Sequence, residues 1–434
     1  MGRVVTVFWF RRDLRLDDNR GFLEALKSDH PVLPIFIFDP NILQELPKDD
    51  ARVTFIHDRL QAMRQELQEA HGASLAIYSG TPGEVFEELL KQWEVRSVMT
   101  NRDYEPYARK RDEEVSELLA GRNIPFRTFK DQVIFEKSEV AKDDGDPYVV
   151  YTPFMKKWKS QFREEDLETY YTNPYLDNLL KHSRLPNLDL GELGFTRSSI
   201  EVPDYDVTPT LLDAYKNTRD YPAQEGTSRL GPHLRFGTVS VRKMLKKALN
   251  ASDETFWNEL IWREFFMQIL WHFPHTVSHA FKKPYDRIRW RNDEGEFEAW
   301  KEGKTGFALV DAGMRQLART GYMHNRVRML VASFLCKHLL IDWRWGEAYF
   351  AEKLLDYELA SNVGNWQWAA GSGVDAAPYF RIFNPMTQVD KFDPGKKYIK
   401  QWVPEYGTEE YPERIVDHKA ARERCLVTYK AALD

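Results

Sequence analysis

Buried-strand patterns alternate with amphipathic helical patterns over the first 130 residues. Runs of apolar residues predict strands at 4–10, 31–39, 74–80, 95–101 and 125–129. Apolar positions at helical spacing predict helices at 51–72, 82–93 and 107–122. This alternation is typical of a parallel sheet with helices on both faces. We therefore predict an α/β N-terminal domain, a doubly wound parallel sheet, over residues 1–130.

The pattern changes after residue 130. Residues 131–195 are mixed, with the turn-forming string DDGDP and several isolated prolines, and are predicted to connect two domains. From residue 196 onward amphipathic helical segments dominate, and we find no convincing strand pattern and no internal repeat. We predict an all-α C-terminal domain over residues 196–434, with no tail after it.

Composition narrows the class of protein. The net charge of −6 over 434 residues argues against indiscriminate binding to nucleic acid, although a local basic patch could still hold phosphates. No run approaches the roughly 18 apolar residues of a membrane span, and MGRVVTVFWF is not a signal peptide. The two cysteines show no metal-binding or disulfide spacing, which favours a reducing cytoplasm and no metal site.

Tryptophan is concentrated in the helical region, where ten of the 13 lie between residues 257 and 402. A single tryptophan is more often part of a core than of a site. In NWQW, however, Trp366 and Trp368 are two apart, so on a helix they point to different sides. One of them can face a buried cofactor and the other a cleft.

Polar residues interrupt the apolar helices nearby. MHNRVRM places His324, Asn325, Arg326 and Arg328 in such a helix, and LLDYELASN adds Asp356 and Glu358. Buried polar groups must be satisfied by each other or by a ligand. The simplest interpretations are a buried ion pair for Arg328 and Asp356 and a core histidine for His324.

These strings resemble the photolyase/cryptochrome family, most closely the bacterial class I cyclobutane pyrimidine dimer photolyases. The resemblance spans nearly the whole chain. It is carried by FWFRRDLRLDDN (8–19), RDYPAQEGTSRLGPHLRFG (219–237), NELIWREFF (258–266), GYMHNRVRMLVASFL (321–335), IDWRWGE (341–347) and SNVGNWQWAAGSGVDAAPYFRIFNP (361–385). It implies an α/β domain, a helical domain that binds FAD, and light-driven repair of pyrimidine dimers that are flipped out of DNA.

The resemblance implies particular contacts for FAD. The matching positions are Tyr215, Thr227, Ser228, Arg229, Leu230, Gly231, Arg263, Asn325, Arg328, Asp356, Glu358 and Asn362. Among them Arg328 and Asp356 match a salt bridge beside the flavin ring. Asn362 matches the residue at flavin N5 that favours the neutral semiquinone and the reduced anion. Gly231 stands where many relatives have serine, which costs one hydroxyl contact. Trp366, Trp343 and Trp290 match a chain that carries electrons from the protein surface to the flavin.

Further positions match contacts to the dimer and to DNA. Glu259 matches a carboxyl group that hydrogen-bonds the dimer, and we expect burial to keep it protonated. Trp262, Trp368 and Met329 match the walls of the dimer pocket, with Glu259, Asn362 and Met329 the catalytic candidates. The DNA-contacting positions are Arg219, Arg326, Arg381 and Gln388. The protein is expected to act as a cytoplasmic monomer that associates with the nucleoid through DNA.

Several alternatives stay open. A (6-4) photolyase carries histidine, and a DASH-type relative glutamine, at the position of Met329, which counts against both. A cryptochrome receptor without repair would not need the dimer-pocket residues. A flavoprotein oxidoreductase would need a nucleotide fingerprint, and the sequence has no GxGxxG.

The resemblance also implies a second, light-harvesting chromophore, a folate or a deazaflavin. Asn101 and Glu105 are its candidate contacts, and the sequence leaves both identity and occupancy undecided.

Overall fold

The computed structural model describes residues 3–434. Its strands are β1 (Val4–Phe10), β2 (Val32–Phe38), β3 (Ala76–Ser79), β4 (Glu94–Asn101) and β5 (Phe126–Phe129). Its helices are α1 (Arg20–Leu26), α2 (Pro40–Leu43), α3 (Ala51–His71), α4 (Pro82–Gln92), α5 (Pro106–Ala120), α6 (Tyr151–Gln161), α7 (Pro209–Thr218), α8 (Gly231–Arg235), α9 (Val241–Leu249), α10 (Thr255–His272), α11 (Glu294–Lys301), α12 (Ala308–Thr320), α13 (Asn325–Ser333), α14 (Trp343–Lys353), α15 (Leu359–Ala370), α16 (Pro385–Phe392), α17 (Lys397–Trp402) and α18 (His418–Leu433).

The five strands form one parallel sheet in the order β3-β2-β1-β4-β5. Strand β1 is central and is buried on both faces. Phe8 and Phe10 pack into one apolar cluster, and Val7 and Trp9 pack into the cluster on the opposite face. Such two-sided burial is typical of parallel sheets covered by helices. The predicted doubly wound α/β domain is therefore confirmed, as is the all-helical character of the C-terminal part.

The charged string after β1 forms an internal network rather than a binding surface. The amide nitrogen of Asn101 donates to Asp13 Oδ2 at 2.6 Å and to Asn19 Oδ1 at 2.7 Å. The oxygen of the same amide accepts a hydrogen bond from the backbone N–H of Gly21 at 2.9 Å. These polar side chains are almost fully buried, so satisfying one another stabilises the loop that follows β1.

The chain divides into two compact units that do not follow the predicted boundaries. Unit 1 comprises the residues up to Glu136, Gln161–Tyr205 and Leu230–Leu249, and unit 2 comprises the rest. Helix α9 therefore belongs to unit 1, although the sequence assigned it to the helical domain. The reason is electrostatic: buried Arg242 donates to Asp18 Oδ1 at 3.0 Å and to Asp131 Oδ1 at 2.8 Å. Helical periodicity cannot reveal which domain supplies such partners.

Unit 2 is built around an aromatic-rich core. Trp300, Trp343 and Trp366 are all nearly inaccessible to solvent within it. Gly346 on α14 is required here, since a Cβ at this position would overlap the indole ring of Trp366. A π-helical turn, Phe334–His338, follows α13 directly.

Within residues 3–434, no helix combines the length and the apolar character needed to cross a membrane.

Candidate active site

A pocket of about 600 Å³, partly open to solvent, lies in unit 2 between α13, α14 and α15. Eight of the predicted site residues line it: Asn325, Arg328, Met329, Asp356, Glu358, Asn362, Trp366 and Trp368. These residues come from three separate stretches of sequence. Their convergence on one pocket gives it a cation, two carboxylates, amide groups and two indole rings.

The charged side chains of the pocket are paired. Arg328 donates to both oxygens of Asp356, at 3.1 and 2.9 Å, and its Nε donates to the backbone oxygen of Met323 at 2.7 Å. Burial alone would lower the pKa of Arg328, but the carboxylate of Asp356 raises it above the usual value. Arg263 on α10 similarly lies 3.3 Å from a carboxylate oxygen of Glu358. Both guanidinium groups are therefore fixed in direction by a carboxylate.

Asn362 on α15 is held by a residue that the sequence analysis did not select. Its amide nitrogen donates to the backbone oxygen of Glu347 at 3.2 Å and to Glu347 Oε1 at 2.9 Å. Burial raises the pKa of Glu347, while hydrogen bonds from Asn362 and Tyr357 partly offset that effect. The signal for Glu347 in the sequence is its place in IDWRWGE (341–347), one of the strings that carry the resemblance.

The three predicted relay tryptophans occupy different environments. Trp366 and Trp343 are each 2% exposed, and Trp290 is partly buried and meets Tyr429 edge-on at 6.0 Å. Ring contacts of Trp366 are formed with Phe350 at 5.0 Å and with Trp300 at 6.2 Å. Trp300 was not selected from the sequence, because a single tryptophan in an amphipathic helix is indistinguishable from ordinary core.

The predicted dimer contacts on α10 are engaged by neighbours. Glu259 is paired with Arg219, and the Glu259 side chain is about one-third exposed. Burial would lower the pKa of Arg219, yet Glu259 leaves it above the usual value. Glu259 thus lies against a guanidinium group and is partly open to solvent, rather than being buried as expected. Trp262 stacks on Tyr151 with ring centroids 3.5 Å apart, and the Tyr151 hydroxyl donates to the backbone oxygen of Asn258.

The predicted FAD contacts at residues 227–229 lie in unit 2. Thr227 Oγ1 is 3.1 Å from the hydroxyl of Tyr322, a residue that the sequence analysis did not single out. Ser228 accepts a backbone hydrogen bond from Asp206, and Arg229 has a left-handed φ of 52° and pairs with Glu225. Tyr215 lies beneath the guanidinium of Arg219. Leu230 and Gly231 belong to unit 1, where Leu230 precedes α8 and Gly231 is its first residue.

The remaining candidates for DNA contacts are Arg326, Arg381 and Gln388. Arg326 pairs with Asp220 at 2.5 Å, lies over the ring of Phe392, and places one nitrogen 3.8 Å from the sulfur of Met329. Arg381 is exposed in the loop before α16, and Gln388 is half-buried on α16 itself. Arg326 thus connects the rim of the pocket to a charged surface.

The candidate antenna residues lie in unit 1, where both are hydrogen-bonded internally. Asn101 is 3% exposed and uses both ends of its amide within the network described above. Glu105 accepts hydrogen bonds from Arg12 at 3.1 Å and from Arg235 at 2.8 Å. A chromophore contact by Asn101 would require breaking these bonds, so its role as an antenna ligand stays a prediction.

In the described part of the chain, no cluster of three or more histidine, cysteine, aspartate or glutamate side chains is arranged to hold a metal ion.

Comparisons with known proteins place these features in a family. The family described as DNA photolyase matches residues 6–172, and that described as the FAD binding domain of DNA photolyase matches residues 256–408. The chain is 38% identical to a deoxyribodipyrimidine photo-lyase of Halobacterium salinarum, covering 98% of this chain and 99% of that one. It is 37% identical to the deoxyribodipyrimidine photo-lyase of Escherichia coli, covering 98% of each chain.

Solved structures give the same grouping. A class III photolyase from Agrobacterium tumefaciens matches with a TM-score of 0.89 and 35% identity, over 100% of this chain and 98% of that one. An archaeal photolyase from Sulfolobus tokodaii, solved with two FAD molecules, matches with a TM-score of 0.84 and 36% identity, over 98% of this chain and 100% of that one. With near-complete coverage at this identity, the chain belongs to the photolyase/cryptochrome family.

Proposed function

We propose that this protein is a DNA photolyase that binds FAD and uses light to split cyclobutane pyrimidine dimers. The observation that carries the proposal is the convergence of eight residues, predicted separately to serve the flavin or the dimer, on one pocket of unit 2. The near-full-length similarity to deoxyribodipyrimidine photo-lyases supports the same activity.

The donors and acceptors of the pocket fit a flavin. A flavin ring presents carbonyl oxygens and ring nitrogens along its edge and an apolar face. Arg328, held by Asp356, offers a fixed cation toward the pocket, and Asn362 offers an amide oxygen. Trp366 and Phe350 supply apolar walls. Such a site combines apolar surface with a few placed polar groups, as cofactor pockets generally do.

The protein's own residues have three tasks in this reaction. When bound, reduced FAD supplies an electron on absorbing light, and a cyclobutane ring that gains an electron opens readily. Trp368 and Met329 line the pocket on the side assigned to the dimer, where they stack on it and exclude water. Glu259, paired with Arg219, offers a charge-assisted contact to the dimer's polar edge. The cofactor carries the electron, and the protein supplies position and electrostatics.

We assign the contacts with DNA to two arginines and a glutamine. Arg326, Arg381 and Gln388 contact phosphates and carry no sequence information, in keeping with repair of lesions in any context. The protein acts as a monomer. It resides in the cytoplasm and associates with the nucleoid by binding damaged DNA.

A second chromophore, for which the two FAD molecules of the Sulfolobus tokodaii photolyase are a precedent, would bind apart from this pocket.

Lesion recognition is tested by binding in the dark. Three otherwise identical oligonucleotides are compared: one undamaged, one with a thymine cyclobutane dimer, and one with a (6-4) photoproduct. We expect the cyclobutane dimer to bind at least tenfold more tightly than undamaged DNA, since specific DNA binding commonly exceeds non-specific binding by more than this. Preference for the (6-4) product would assign the other repair activity, and equal binding of all three would favour a receptor without repair.

A further inference from the structure

The amide of Asn362 has a fixed orientation. An amide group carries two N–H donors and one carbonyl acceptor. Both donors of Asn362 are directed at Glu347, one at its backbone oxygen and one at its carboxyl group. Turning the amide over would set its oxygen against the backbone carbonyl of Glu347, which can only accept. The carbonyl oxygen of Asn362 is therefore the atom left to face the pocket.

The carboxyl group of Glu347 has few partners of its own. Glu347 lies on α14, beside Gly346, and its side chain is only partly accessible. Its carboxyl accepts from Asn362 at 2.9 Å and from the hydroxyl of Tyr357 at 3.5 Å. Among residues 3–434, no lysine, arginine or histidine forms an ion pair with it. Burying a carboxyl group without a neighbouring cation costs free energy of folding. The contact between Glu347 and Asn362 therefore indicates a functional role for Glu347.

We propose that Glu347 is a positioning residue for the flavin. It locks Asn362 with the carbonyl oxygen toward the pocket, and this is the orientation that Asn362 needs to favour a protonated flavin nitrogen, the role that the resemblance implies for it. A carbonyl oxygen accepts a hydrogen bond and repels a lone pair. A flavin nitrogen that bears a proton is therefore stabilised there, and a bare nitrogen is not. This inference rests on the proposed placement of the flavin in the pocket of α13, α14 and α15.

Two substitutions at one position separate hydrogen bonding from packing. Glu347→Gln keeps an oxygen that accepts from Asn362, whereas Glu347→Met fills a similar volume and offers no such acceptor. Glu352→Gln is the matched control, because Glu352 is exposed on the same helix and pairs with Lys353. Each variant is purified with FAD, and its flavin-to-protein ratio and circular dichroism spectrum are recorded first.

The decisive readouts are the flavin's reduction potential and the absorption of its one-electron-reduced form. We expect Glu347→Gln and Glu352→Gln to match the parent protein. We expect Glu347→Met to retain FAD but to lose about tenfold of its preference for the protonated form, which corresponds to about 59 mV for a one-electron couple. Parental behaviour of Glu347→Met would overturn the proposal. An equal change in both Glu347 variants would overturn it too, because glutamine accepts the same bond.

A further variant distinguishes this failure from failure of the proposed pocket. Asn362→Leu removes the amide itself. If Asn362→Leu alters the flavin's potential while Glu347→Met does not, the flavin lies beside Asn362 but Glu347 does not position it. If Asn362→Leu retains FAD with an unchanged potential and spectrum, the flavin does not lie beside Asn362 and both proposals fall.

Discussion

Arg328 and Asp356 meet through two parallel hydrogen bonds, of 3.1 and 2.9 Å, in the wall of the pocket. The side chains are 24% and 17% exposed, so water screens the pair only in part. Their geometry is the fork-to-fork arrangement that makes arginine and carboxylate a rigid unit. Because Asp356 fixes the guanidinium group of Arg328, this cation has one constant orientation toward a ring bound in the pocket.

Removing one member of this pair leaves the other partly buried without its partner. We expect Asp356→Asn to reduce the free energy of unfolding by about 2–3 kcal/mol and to lower FAD occupancy. Glu302→Gln is the control, since Glu302 pairs with Lys304 at an exposed site where such pairs contribute about 0–1 kcal/mol. Urea unfolding and the flavin-to-protein ratio measure the two effects. Equal losses in both variants would contradict a special role for Asp356.

The sequence could predict elements whose signal is local. Strands β1 to β5 lie within a residue or two of their predicted bounds, because buried parallel strands are continuous apolar runs bounded by turns. The pairing of Arg328 with Asp356 was also predicted. Glu347 and Tyr151 were not selected, because their importance arises from contacts with distant residues, Asn362 and Trp262, that no periodicity reveals. The membership of α9 in unit 1 likewise depends on a tertiary feature, the ion cluster of Arg242 with Asp18 and Asp131.

Trp366 is expected to carry electrons to the flavin from the protein surface. We predict that Trp366→Phe slows photoreduction of oxidised FAD at least tenfold, whereas repair by chemically reduced protein is nearly unchanged. Flash photolysis measures the first quantity and dimer repair the second. An unchanged photoreduction rate would remove Trp366 from the electron path.

Trp300 provides the comparison for this experiment, because it contacts Trp366 and is fully buried. If electrons arrive through Trp343 and Trp290 as predicted, Trp300→Phe leaves the photoreduction rate within about twofold of the parent. A large loss in Trp300→Phe with no loss in Trp343→Phe would show that the electrons arrive through Trp300 instead.

Glu259 is proposed to contact the dimer rather than the flavin. We expect Glu259→Gln to lower the repair yield several-fold while FAD content stays the same, because the substitution removes the charge that pairs with Arg219. Glu254→Gln is the control, since Glu254 precedes the same helix, is exposed and pairs with Lys159. Loss of FAD from Glu259→Gln would place this residue beside the cofactor.

The lowered pKa values of two buried histidines predict that the folded protein loses stability in mild acid. Burial lowers the pKa of His324 to about 4, and burial together with His418 lowers that of His338 to about 3, from a usual value of 6.5. Between these values and 6.5 the unfolded chain binds more protons than the folded chain. Stability therefore falls as pH drops below about 6.5, by up to about 1.4 kcal/mol per pH unit for each histidine.

The pH dependence is tested by urea unfolding at several pH values. His338→Gln removes one of the titrating histidines, so the slope of unfolding free energy against pH should become smaller between pH 6 and pH 5. His275→Gln, at an exposed position, should leave the slope unchanged. A parental slope in His338→Gln would show that His338 is not neutral in the folded protein.

The central claim is that this pocket couples a light-excited flavin to a pyrimidine dimer. It is tested most directly by incubating chemically reduced protein with a short oligonucleotide that bears one thymine cyclobutane dimer, in the dark and under blue light. We predict that the two thymines are restored only in the light. Intact dimers after illumination, with FAD bound and photoreducible, would contradict the claim.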